Sequence, residues 1–128
     1  MKYLLDTHTY FLARSSPKVL PKPVIDLLLD SSTEIYISVV TPLELAIKTS
    51  KGQLNARALL IDFESREIAA GFTIASITVA QAIRSGLLPS HHRDPWDRLL
   101  ISQSLDLQMP IVSMDKTFDL YGVQRIWD

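Results

Sequence analysis

Cysteine is absent from the 128-residue chain. That excludes disulfides, thiolate zinc sites and a cysteine nucleophile, and leaves no mark of an oxidising compartment. Long apolar runs are missing as well. The long uncharged stretch that contains Ala69 to Ile83 is diluted by Gly71, Thr73, Ser76, Thr78 and Gln81, and it falls short of the roughly 20 apolar residues that span a bilayer. No membrane segment is expected. The N-terminus lacks a signal-peptide core, because Asp6 interrupts the apolar run Tyr3-Leu4-Leu5 before it develops; a cytoplasmic location is the expectation. An excess of either charge is also lacking, with 13 Lys+Arg against 14 Asp+Glu and a net charge of −1, which argues against a protein that wraps nucleic acid with a basic surface.

What is present is the composition of a soluble globular protein, 47% hydrophobic and 21% charged, in a chain able to bury roughly two thirds of its unfolded surface. No repeat, low-complexity tract or linker divides it, and Pro17, Pro21 and Pro23 punctuate a loop rather than a boundary. A single domain over residues 1–128 is expected.

The element types alternate. Strands are predicted at Tyr3–Leu5, Glu34–Ser38, Phe72–Ile74 and Pro110–Ser113, with Gln124–Trp127 as an edge strand. Helices are predicted at Thr9–Ala13, Pro23–Leu29, Pro42–Lys51, Ala56–Ala70, Val79–Ser85 and Pro95–Leu107. Thr41-Pro42-Leu43-Glu44 has the grammar of a helix start, with Thr41 as N-cap, and Asp94-Pro95-Trp96-Asp97 repeats it. Strands separated by helices specify an α/β fold, a parallel sheet of four to five strands covered on both faces, with ligands gathering outside the carboxyl ends of the strands.

Four acids are predicted to meet at that edge. Asp6 ends the first strand, Asp115 follows the fourth, and Glu44 and Asp97 sit in the first turns of helices that leave the same edge. Two unit charges about 4 Å apart repel by about 4 kcal/mol at an effective dielectric near 20, so such a group needs a cation. Oxygen-only ligands, without cysteine or a His pair at i, i+4, select Mg²⁺ or Mn²⁺ over zinc, and such ions suit hydrolysis of phosphodiester bonds. Setting these four acids aside leaves ten against thirteen bases, a remaining surface of +3. Each acid also has a structural reading: Glu44 completes a capping box with Thr41 and faces Lys48, Asp97 favours the helix dipole beside an Asp94 cap, and Asp115 is a turn residue. Asp6 has the least structural motive.

Leu4-Leu5-Asp6-Thr7-His8 resembles the opening of PIN domains of the VapC toxin type. Glu44-Leu45-Ala46-Ile47-Lys48 with Lys51-Gly52-Gln53-Leu54 is similar to their second motif, His92-Arg93-Asp94-Pro95-Trp96-Asp97-Arg98-Leu99-Leu100-Ile101 to the third, and Ile111-Val112-Ser113-Met114-Asp115 with Phe118 and Tyr121-Gly122-Val123 to the fourth. The likeness runs from Tyr3 to Val123. It implies a PIN fold and a Mg²⁺-dependent endoribonuclease in which Asp6, Glu44, Asp97 and Asp115 hold metal, with Asp94 nearby. It also implies a homodimer and a small antitoxin that enters the active-site groove. Ser113 stands where the family more often has threonine, Trp96 where it has phenylalanine and Leu43 where it has tryptophan; no acid is lost.

Lys48, Arg93, Arg98 and Ser113 are candidate substrate contacts, the bases as phosphate grips. His8, His91 and His92 are too scattered for a transition-metal site, and His91 and His92 are expected in an exposed loop. Phe11, Phe63 and Phe118 are expected in the core. Two other classes compete: a phosphoacceptor signalling domain, which would want paired acids after the first strand, and a catalytically silent PIN-like module that acts only by binding partners.

Overall fold

In the computed structural model, which describes all 128 residues, the apolar runs form one sheet of five strands: β1 (Lys2–Leu5), β2 (Glu34–Ser38), β3 (Thr73–Ala75), β4 (Ile111–Val112) and β5 (Arg125–Ile126). Their order is β3-β2-β1-β4-β5 and every pairing is parallel. The helices between them are α1 (Thr7–Ser15), α2 (Lys22–Leu29), α3 (Val40–Ser50), α4 (Arg57–Leu60), α5 (Phe63–Ala69), α6 (Val79–Leu87) and α7 (Pro95–Leu107), with short 3-10 helices at Pro17–Val19 and Lys116–Tyr121. No helix is long and apolar enough to cross a membrane.

Alternation along the strands builds two cores, one on each face of the sheet. Leu5, Ile35, Ile37 and Val112 join Tyr10, Leu20, Val24 and Leu45 on one side. Leu4 and Ile111 join Val40, Leu100, Ile101, Met109 and Phe118 on the other. Leu4 and Leu5 are both fully buried, and each contributes about 1.5–3 kcal/mol by leaving water. The chain moves outward one way from β1 through β2 to β3 and the other way through β4 to β5. The crevice above β1 and β4 is therefore the topological switch point, where sheets of this kind bind ligands.

Two expectations are corrected. The helix expected over Ala56–Ala70 is broken into α4 and α5, because Ile61 is extended (ψ 124°) and Asp62 is left-handed (φ 50°). Arg66 makes the break tolerable: its guanidinium donates to the carbonyls of Ala58 at 2.9 Å, Ile61 at 3.0 Å and Leu59, which a continuous helix would have satisfied internally. Thr41 does not cap α3. That helix starts at Val40, whose amide donates to Ser38 Oγ at 3.0 Å, and the buried Thr41 hydroxyl instead meets that of Thr7 at 3.2 Å, tying α3 to α1. Glu44 consequently falls in the second turn and completes no capping box.

Candidate active site

Each acid reaches the carboxyl edge by a different local device. Asp6, directly after β1, is the N-cap of α1: its Oδ1 accepts the Thr9 amide at 2.8 Å, while the Thr9 hydroxyl donates to the Val112 carbonyl at 3.0 Å and anchors the helix start to β4. α1 therefore begins at Thr7, two residues earlier than expected. Asp94 caps α7 by accepting the Trp96 amide at 2.9 Å, with Pro95 at the first helical position. That cap sets Asp97 in the first turn. Asp115 caps the second 3-10 helix, its Oδ1 accepting the Thr117 amide at 2.9 Å. Glu44 reaches in from α3 and pairs through Oε2 with Lys48 Nζ at 2.7 Å.

All five acids, Asp6, Glu44, Asp94, Asp97 and Asp115, line one cleft of about 310 Å³ together with Thr7, His8, Lys48 and Met114. The electrostatic consequence is plain at Asp97. Burial, followed by the charges of Asp94, Asp6, Glu44 and Asp115, pushes its carboxyl up to about 8. Burial likewise raises Asp6, against hydrogen bonds from Ser113 and Thr9 that favour its charged form. Asp115 is lowered overall: burial works against its charge, but hydrogen bonds from the Thr117 amide and from His92 outweigh it. Lys48 is raised, chiefly by its hydrogen bond to Glu44, and stays charged.

The oxygen donors fit a hard divalent cation. Glu44 is only 4% exposed, yet its Oε1 is buried without a hydrogen-bond partner. A buried carboxylate oxygen without a partner, on a residue that shares its cleft with four further acids, is unfavourable unless a cation completes it.

The remaining candidates divide. Lys48 lines the cleft and Arg93 is exposed. Arg98 does not fit the expected phosphate grip, because its guanidinium donates to the carbonyls of Leu88 at 2.8 Å, Pro89 at 2.9 Å and His92 at 3.3 Å, and so holds the loop before α7. Ser113 is fully buried, and its Oγ accepts the Asp115 amide at 3.0 Å; it supports acids rather than facing a substrate.

His92 departs most from expectation. It is not in an exposed loop but sits between two of the acids, with Nε2 2.9 Å from Asp115 Oδ2 and 3.0 Å from Asp97 Oδ2. The only signal for it in the sequence was its position two residues before Asp94 and five before Asp97. His8 lines the cleft but is exposed.

The model of the PIN domain family matches residues 3–123. The chain belongs to the PIN domain family. No curated protein matches it in sequence. Among solved structures this PIN domain is similar to a chain of VapBC2 from Rickettsia felis bound to a DNA fragment from their promoter, at 18% identity and a TM-score of 0.73, with all of both chains covered. It is similar to VapBC-1 from nontypeable Haemophilus influenzae at 19% identity and a TM-score of 0.67, and to DNA-bound VapBC from Salmonella typhimurium at 18% and 0.69, each covering 98% of this chain and 97% of the other. At these identities the likeness establishes the fold.

Proposed function

We propose that this PIN domain is a divalent-cation-dependent endoribonuclease of the VapC toxin type. The observation that carries the reading is the convergence of five carboxylates in one cleft at the switch point of the sheet, with a buried Glu44 oxygen lacking any partner. Asp6, Glu44, Asp97 and Asp115 would hold the ion, Asp94 standing next to them, and Mg²⁺ is the ion proposed, with Mn²⁺ able to replace it. A bound ion of this kind compensates the acids and the substrate phosphate and makes a water a stronger nucleophile.

The chain's own groups do the positioning. Lys48 remains a cation on the cleft wall, where it can meet a phosphate while still neutralising Glu44. Arg93, exposed next to Asp94, supplies a further backbone contact of the kind that orients nucleic acid without reading its bases. Ser113 and Thr9 hydrogen-bond Asp6 and offset part of what its burial does to raise it. The fold relatives are VapBC and FitAB assemblies, which supports a cognate antitoxin as partner; a homodimer as the working form and a cytoplasmic setting belong to the same proposal. Nothing favours the phosphoacceptor reading, since Asp6 has no paired acid after β1.

The test is cleavage of RNA in the presence of Mg²⁺, with EDTA and Asp97→Asn as controls. Loss of cleavage in both controls is expected. Cleavage that survives Asp97→Asn would overturn the assignment, and an unaltered chain that cuts no RNA with Mg²⁺ or Mn²⁺ would leave the silent binding module as the better reading.

A further inference from the structure

His92 offers two readings. Its Nε2 and one oxygen each from Asp97 and Asp115 lie within 4.8 Å of one another, a constellation that could itself grip a metal. Alternatively, the ring donates its hydrogen to Asp115 Oδ2 at 2.9 Å, with Asp97 Oδ2 3.0 Å from the same nitrogen, and takes no part in ligation. The other nitrogen decides between them. The Asp94 amide, a donor with no alternative role, points at His92 Nδ1 from 3.2 Å, so Nδ1 must present its lone pair. A neutral imidazole has one acceptor nitrogen and one N–H. With Nδ1 accepting, the hydrogen is on Nε2, and a protonated Nε2 has no lone pair for a cation.

The surroundings hold the ring in that pose. The His92 amide donates to Tyr121 Oη at 2.7 Å, and the Tyr121 hydroxyl donates to the Pro89 carbonyl at 2.7 Å. Arg98 clasps the carbonyls of Leu88, Pro89 and His92. The ring packs on the buried Phe118, with centroids 5.8 Å apart. Asp97 is on α7 and Asp115 follows β4, so nothing in local chain geometry brings these two carboxylates to a common point. The sheet and the caps bring them to one edge, and the His92 ring lies between them.

Resting on the metal-site reading above, we infer that His92 is a positioning residue and not a ligand: its Nε2–H, bonded to Asp115 and set against Asp97, holds the two carboxylates in place for the cation before it arrives. Such partners of ligating carboxylates set metal affinity, and their loss typically costs about 10–100-fold. Glutamine can place an amide N–H at the reach of Nε2, whereas alanine cannot.

The experiment has two parts on the full chain. In calorimetric titration with Mn²⁺ alone, His92→Ala should bind about 10–100-fold more weakly, and His92→Gln should recover most of that loss. An alanine variant that binds like the unaltered chain overturns the inference, as does a glutamine variant as weak as the alanine one. An unaltered chain that binds no Mn²⁺ overturns the metal-site reading and this one with it, so the two failures are distinguishable. The second part needs no variant: ¹⁵N spectra of the imidazoles, without and with saturating Mg²⁺, should show hydrogen on Nε2 and none on Nδ1 of His92 in both states. Hydrogen on Nδ1 in either state, or an Nε2 that loses its hydrogen when Mg²⁺ is added, overturns the inference.

Discussion

Lowering the pH from about 8 to about 6 should weaken Mn²⁺ binding by about 50-fold, because the cation must displace a proton held by Asp97. The carboxyl of Asp97 is raised to about 8, first by burial and then by four neighbouring acids. At pH 8 the carboxyl is about half protonated and at pH 6 almost fully so, and for one displaced proton the difference is about 50-fold, or about 2.3 kcal/mol. Calorimetric titration in two buffers of different ionisation enthalpy counts the protons directly: about one released per cation near pH 6, and about half of one near pH 8. Asp97→Asn should remove that release. The sign for the metal-free chain follows from the same value. The folded carboxyl lies above its unfolded value, so its contribution to stability is fully present below about pH 4 and is lost as the pH rises towards about 8. Asp6, raised by burial, acts in the same sense. Proton release near zero at pH 6, or a pH slope unchanged by Asp97→Asn, would refute the reasoning.

Metal-free Asp97→Asn should melt higher than the parent near pH 8 by about 2–4 °C per kcal/mol of repulsion removed, read by calorimetry, although it cuts no RNA. Arg93→Ala should raise the KM for RNA with little change in kcat, whereas Arg98→Lys, which cannot clasp three carbonyls at once, should lower kcat with KM nearly unchanged. Steady-state cleavage separates the two. Arg66→Met should destabilise the fold by about 3 kcal/mol or more, measured as a lower urea midpoint at constant slope. It breaks one of the two ion pairs of the fully buried Glu67, made by Arg14 at 3.2 Å and Arg66 at 3.3 Å, and releases the carbonyls at the α4–α5 break.

Much of this was legible because period and punctuation are local. β-branched runs at Glu34–Ser38 and Ile111–Val112, and the Asp94-Pro95 start of α7, are decided by residues adjacent in the chain, and they were read within a residue or two. The failures share a cause. Thr41 has the chemistry of an N-cap, but Ser38 is better placed at the end of β2, and Thr41 is drawn to Thr7, 34 residues away. The break after α4 is stabilised by Arg66, whose reach over five to eight residues leaves no periodic trace. His92 was passed over because its partners are Asp97 on α7 and Asp115 beyond β4, and no spacing rule links a histidine to carboxylates that only the sheet brings together.

For three of the acids the structural role and the functional one coincide. Asp6, Asp94 and Asp115 are all N-caps, each accepting a backbone amide at 2.8–2.9 Å. The two roles are therefore one arrangement. An amide fixes one oxygen of each carboxylate, so the orientation of the group is set before any ion or substrate arrives. The positive end of each helix also offsets part of the repulsion among five acids, by about 0.3–1 kcal/mol apiece. That relief is small beside the about 4 kcal/mol of a single close pair, so at Asp97, in the first turn of α7 but not a cap, burial and then the neighbouring acids still raise the carboxyl to about 8. Capping can assemble such a cleft but cannot neutralise it. The residual charge is what would make it select a cation, and replacing Asp94 by asparagine, which caps equally well, should keep α7 intact while lowering the Asp97 carboxyl below about 8 and weakening Mn²⁺ binding. If the asparagine variant left Asp97 unmoved, measured by carboxyl ¹³C shifts against pH, the Asp94 charge would have no part in the site.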